Sequence, residues 1–163
     1  MTKSRLKNLV WESCSIFIRT YYALSDGTVK CYTCDKIAPW QELQAGHGIG
    51  GRNNARLYEL KLLRPQCLKC NVFLRGNYPI FTRKLIEEYG LEEYKKLANE
   101  SAKPKDISDQ ELWDLFLKFS MDKAKQILLR ESRKLKNKAA GLERQAARLR
   151  KEAQALEEKT LAR

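Results

Sequence analysis

Apolar residues recur at steps of three and four from Leu6 through Leu9, Val10, Cys14, Phe17 and Ile18 to Tyr21, which predicts a helix over residues 4–24. Asp26-Gly27 supplies a turn, and Thr28 to Cys34 reads as a short strand running into a knuckle that carries Cys31 and Cys34. A second short strand is expected from Trp40 to His47, followed by an open loop rich in glycine and asparagine up to Asn54. Leu57 to Arg64 is strand-like with Pro65 as its stop, and a helix is expected to open near Cys70-Asn71. Residues 79–98 have helical spacing, broken at Tyr89-Gly90. After a linker around Pro104, Ser108 and Glu111 have the spacing of a capping box for a helix holding Leu112, Leu115, Phe116 and Phe119.

Beyond that point the pattern changes period. Leu128, Leu135, Leu142, Leu149 and Leu156 fall seven apart, with Ala139, Ala146 and Ala153 at a second position, so the two sets form an a/d seam. A C-terminal coiled-coil helix follows, weakened at Gly141 by about 1 kcal/mol against alanine. The organisation expected is an N-terminal helix (1–30) packing on a core, the core itself (31–100), a linker and helix (101–127) and a basic heptad helix (128–163).

Charge narrows the partner class. The chain carries a formal +12, and residues 121–163 hold thirteen Lys and Arg against six Asp and Glu, so more than half of the excess lies in the tail. Such a balance draws in polyanions through counterion release, which makes DNA the leading partner. A solvated coiled-coil surface accounts for the tail's charge equally well. No apolar run approaches the roughly 20 residues needed to span a bilayer and no signal segment opens the chain, so no membrane partner and a cytoplasmic location are expected.

Cys31, Cys34, Cys67 and Cys70 form two C-x-x-C pairs, the spacing that places four thiolates around a structural Zn2+. Cys14, alone in an apolar helical stretch, reads as a packed free thiol. His47 is the chain's single histidine. It lies between the two cysteine pairs, at a strand end and beside a glycine-rich loop where a phosphate could approach backbone, which marks it as a candidate catalytic residue. Arg52, Arg56, Arg64, Lys69 and Arg75 cluster around it in sequence as candidate DNA-phosphate contacts, while Tyr58, Phe73 and Tyr78 are expected in the core.

The motifs Cys31-Tyr32-Thr33-Cys34, Gln44-Ala45-Gly46-His47, Pro65-Gln66-Cys67-Leu68-Lys69-Cys70-Asn71 and Gly76-Asn77-Tyr78 resemble the lambda NinG (Rap) family of phage recombination nucleases and, more distantly, phage recombination endonuclease VII. The resemblance covers about residues 8–100 and leaves out the heptad tail. It implies an α+β fold: a zinc-stapled beta-beta-alpha-metal core of the HNH (His-Me finger) type with flanking helices. It further implies that His47 is the general base and that Asn71 is a ligand of a catalytic Mg2+ or Mn2+. The acidic metal ligand that precedes the base in endonuclease VII-like sites is Gly46 here, which leaves Asn77 and Glu42 as candidates for the second ligand. The asparagine that braces the base-bearing loop is replaced by Leu62, and Asn53 or Asn54 could take that role.

The chemistry agrees with the resemblance. Hydrolysis of an anionic phosphodiester needs a cation on its oxygens and a base near neutral pKa on the water, and a zinc closed by four thiolates can supply neither. The expectation is a metal-dependent, structure-specific DNA endonuclease acting on branched recombination intermediates such as Holliday junctions or D-loops, as a homodimer through the heptads, in the host cytoplasm. The competing expectation is a zinc-dependent DNA-binding recombination accessory protein without catalysis. A purely coiled-coil interaction protein would explain the tail and leave the cysteines and His47 unused.

Overall fold

The computed structural model describes residues 1–51, 54–103 and 105–161, with the side chains of residues 54, 153 and 155–161 outside that description. By contact the chain divides into two units, Met1–Ile127 and Leu128–Arg163.

In the first unit, helix α1 (Lys3–Tyr21) is capped by the Thr2 hydroxyl, which accepts the Arg5 N–H at 3.3 Å, and it buries Leu6, Val10, Cys14 and Ile18 along one stripe. The Cys14 thiol is pushed up to about 12 by burial, as suits a packing residue. Strands β1 (Thr28–Lys30) and β2 (Ile37–Pro39) pair antiparallel with Val29 opposite Ala38, and the connection between them is the first cysteine knuckle. Its turn is closed by Cys31 N–H to Lys36 O at 2.7 Å and Asp35 N–H to Cys31 O at 3.1 Å.

The single strand expected from Trp40 to His47 is instead split. Trp40–Glu42 forms a 3-10 turn, and only Gln44–His47 is strand β3. The turn drops Leu43, 2% exposed, into the core around the cysteines. The expected strand Leu57–Arg64 is likewise displaced. Helix α2 (Asn54–Leu57) and a 3-10 turn (Leu60–Leu62) precede strand β4 (Leu63–Gln66), which runs through Pro65 rather than stopping before it. Proline is tolerated because Pro65 O faces away from β3 and accepts the Tyr32 N–H at 2.8 Å. Its missing N–H falls on that same outward side and leaves the β3–β4 ladder intact.

After β4 comes one π-helical turn (Lys69–Phe73), with Leu74 N–H reaching Lys69 O at 2.9 Å, where an ordinary helix was expected to begin. Arg75, Gly76 and Asn77 then take positive φ in succession, so the chain turns back sharply before helix α3 (Tyr78–Tyr89). Gly90 breaks α3 from helix α4 (Leu91–Ala102), as the sequence predicts. Phe81, Leu85 and Leu97 from these helices pack with Leu62. The capping box forms as expected: Glu111 N–H donates to Ser108 Oγ at 3.1 Å and Ser108 N–H to Glu111 Oε2 at 2.8 Å. It opens helix α5 (Asp109–Leu161), whose Leu112 and Phe119 close the core over α1, Ala45 and Leu63. The architecture of this unit is thus α+β, with two small antiparallel sheets among helices.

In the second unit, Leu128, Leu135, Leu142 and Leu149 are all exposed along their helix. Among the described residues no helix is long and apolar enough to cross a membrane.

Candidate functional site

Four sulfurs meet where the β1–β2 knuckle faces the segment that follows β4. The Sγ atoms of Cys31, Cys34, Cys67 and Cys70 all lie within 4.8 Å of one another, with only Cys34 exposed. Tetrahedral zinc with bonds of about 2.3 Å sets its sulfurs about 3.7 Å apart, and Cys34 Sγ stands 3.6 Å from Cys67 Sγ. Burial alone would raise the Cys31 thiol, yet the N–H groups of Cys67, Thr33 and Cys34 outweigh it and bring the thiol down to about 6. Cys34 is pushed up to about 12, by burial first and then by the neighbouring thiols. Four thiols this close cannot ionise together without a cation among them, so the donor set fits one zinc ion.

This cluster fixes the elements that carry His47 and Asn71. β3 pairs with β4 in the register Gln44↔Gln66 to His47↔Leu63, and β4 leads directly into Cys67. His47 at the end of β3 and Asn71 in the π turn both line a cavity of about 370 Å3, together with Gly51, Val72, Arg75 and Tyr78. The Trp11 ring from α1 stacks on the imidazole, centroids 4.9 Å apart and planes 16° from parallel, which sets its plane. Asn71 Nδ2 donates to Gln44 Oε1 at 2.7 Å, so the amide oxygen is the group Asn71 can offer a cation. Hard divalent ions take such oxygens.

The position ahead of His47 is closed. A Cβ at position 46 would overlap Gln66 Oε1 and lie 2.7 Å from its Cδ, so no side chain fits there while Gln66 occupies the space. Neither Glu42 nor Asn77, the two residues expected as further ligands, lines the His47 cavity. Glu42 lines a separate cavity of about 640 Å3 beside Cys34, Cys67, Lys36 and Lys69, and Asn77 precedes α3 in a left-handed conformation and is not among the residues lining the His47 cavity.

The basic residues separate by burial. Arg75 lines the His47 cavity and Lys69 the cysteine-side cavity, and both are exposed. Arg64 is 2% exposed and cannot meet DNA. It is paired with Glu88, donates to Tyr89 Oη at 2.6 Å and to Leu63 O at 2.8 Å, and lies over the rings of Tyr22, Tyr32 and Tyr89. A long cationic side chain at a strand position reads as surface in one dimension, and here an aromatic box with one carboxylate has taken it in. Arg56 is half-buried and committed as a strut, bonding Gly50 O and, at 3.0 Å, Ser101 O, which ties the glycine loop to α4. Arg52 and Asn53, and the side chain of Asn54, lie outside the described residues.

Tyr58 is in the core as expected, but Phe73 is 73% exposed and Tyr78 38% exposed, the latter on the cavity wall. The π turn directs Phe73 outward, and a helical spacing count assuming 3.6 residues per turn misplaces it. Trp11 is not marked in the sequence, and Gln44 and Gln66 fall within the family motifs without a role of their own. Only their partners across the fold give them meaning.

A protein-family model described as Bacteriophage Lambda NinG protein matches residues 7–126, which takes in every element from α1 to the first turns of α5 and stops before the heptad leucines. No curated protein and no solved structure matches the chain.

Proposed function

The chain belongs to the family of the bacteriophage lambda NinG protein, and on that premise we propose that it is a metal-dependent DNA endonuclease of the HNH type acting on branched recombination intermediates. The observation that carries this reading is the cavity shared by His47 and Asn71, on elements that the four cysteines pin together. His47 takes the proton from the attacking water, its ring held by Trp11. Asn71 offers its amide oxygen to a magnesium or manganese ion, which when bound supplies the positive charge that the phosphodiester oxygens require. Arg75 on the cavity wall holds a phosphate of the scissile strand, and Lys69 an adjacent one. Pairing of two chains through the heptad leucines gives two active sites related by a two-fold axis, suited to nicking opposed strands of a four-way junction. DNA in the host cytoplasm is the substrate this chemistry implies.

The test is cleavage of a labelled four-way junction beside a linear duplex of equal length, in magnesium and in EDTA. Wild type is expected to nick the junction only with the divalent ion, and His47→Ala to bind the junction equally and lose at least about 100-fold in rate. A second reading, a zinc-dependent DNA-binding accessory protein without catalysis, draws on Gly46, where the acidic ligand is missing. It wins if wild type and His47→Ala bind alike and neither cuts with any divalent ion.

A further inference from the structure

We propose that Phe73 is a wedge that enters the interrupted base stack at a DNA branch point, so that the segment carrying it tells branched DNA from continuous duplex; this rests on the proposed action on branched DNA. Four large apolar side chains, Leu68, Val72, Phe73 and Leu74, stand 48% to 73% exposed within seven residues. Burial would ordinarily claim them, and the π turn is what holds them out. Its backbone is closed by its own hydrogen bonds. Asn71 N–H donates to Cys67 O and Leu74 N–H to Lys69 O, both at 2.9 Å, Arg75 N–H to Val72 O at 3.0 Å and Gly76 N–H to Cys70 O at 2.9 Å. Cys67 and Cys70 belong to the four-sulfur cluster, which anchors the segment at its root. Apolar groups held out on such a frame lose little conformational freedom on binding.

The charge on either side says what the tip meets. Val72 lines the His47 cavity with Arg75, while Leu68 and Leu74 line the cavity beside the cysteines with Lys69 and Lys36. All three cations are exposed, and among the described residues Glu42 is the one carboxylate in either lining. Phosphates held on both sides of the segment bring the bases between them onto Val72, Phe73 and Leu74. An apolar protein surface would have to meet three cations around a small tip. A polyanion with flat apolar faces inside satisfies both features. Inserting a ring into continuous duplex requires a base step to be unstacked, and a branch point has already lost that stacking. The ring therefore gains on branched DNA what it forfeits on linear DNA, and the preference arises with no base being read.

The experiment measures the affinity of the zinc-loaded full chain, without added divalent ion, for three DNAs: a four-way junction, a linear duplex of equal length and that duplex with a one-nucleotide gap. Wild type is expected to bind the junction and the gapped duplex at least about fivefold tighter than the continuous one. Phe73→Ser is expected to lose that preference while holding continuous duplex as before, and Phe73→Trp to keep it. Arg75→Ala is expected to weaken all three alike, because phosphate contacts carry no preference of this kind. An unchanged thermal midpoint shows that Phe73→Ser has kept its fold; if it falls, Phe73→Gln, which keeps the length and loses the ring, decides instead. Equal wild-type affinity for the three DNAs, or a preference that survives loss of the ring, would overturn the wedge and leave the proposed nuclease standing. Loss of self-association in Phe73→Ser with the preference intact would overturn it too, by assigning the tip to a second copy. A wild type that binds none of the three would overturn the DNA reading as well.

Discussion

Leu112 and Phe119, in the first turns of α5, are buried with Leu6, Val10 and Ile18 of α1, whereas Leu128, Leu135, Leu142 and Leu149 along the same helix remain 57% to 69% exposed. Both sets are apolar and helically spaced, and both are conspicuous in the sequence. What separates them is the source of their cover. The first set finds it within its own unit, held there by a core that the cysteine cluster joins. The second keeps a strict seven-residue repeat, a period that suits another helix running alongside rather than the irregular surface of a globular core. A stripe of leucine at this exposure is the surface on which the pairing proposed above would rest.

The largest test of that contrast is removal of zinc. Apparent binding energies of about 10–16 kcal/mol for structural zinc exceed the stability of a small domain. Chelation, or Cys67→Ser, is therefore expected to abolish the near-ultraviolet signal of the first unit while much of the helical signal from residues 128–161 persists. Retention of native aromatic signals in a chain shown to be zinc-free would break the comparison, because the first unit would then need no staple.

Leu112→Ala comes next, at about 2–5 kcal/mol, since it empties a fully buried site. Denaturant unfolding of the first unit, followed through its tryptophans, measures it. The paired variant Leu135→Lys/Leu142→Lys should leave that transition in place and act on association instead. Sedimentation should give a dimer for wild type and a monomer for the variant. A monomeric wild type would mean that the leucines serve some partner other than a second copy.

How much could be read in advance follows the same division. Helix α1, the break at Gly90 and the capping box of α5 were legible because each depends on residues within a few positions of one another. The cysteine cluster was legible across 39 positions because metal chemistry restricts which residues can meet. The course of β3 and β4 was not. Whether Pro65 ends a strand depends on which side of it the neighbouring strand lies, and that is settled by Tyr32 and β3, not by the segment itself. Arg64 failed for the same reason: its carboxylate comes from α3 and its rings from three separate elements. At the candidate site, His47 stood out as a lone histidine and Asn71 through the family resemblance, whereas Trp11, Gln44 and Gln66 make their contacts with partners distant in sequence.

Phe73 gives the smallest and sharpest case. It reads as core in the sequence, yet the π turn leaves 73% of it in solvent beside Val72, which is 51% exposed and lines the His47 cavity. An aromatic side chain in that position contributes little to folding, so Phe73→Ser is expected to change stability by no more than about 0.5 kcal/mol, whereas Phe81→Ser, at a fully buried site nearby in the chain, should cost several. Thermal unfolding of the two variants side by side measures the difference. If Phe73→Ser proved as damaging as Phe81→Ser, the turn after Cys70 would have to be an ordinary helix facing inward, and Val72 and Arg75 would leave the cavity wall with it.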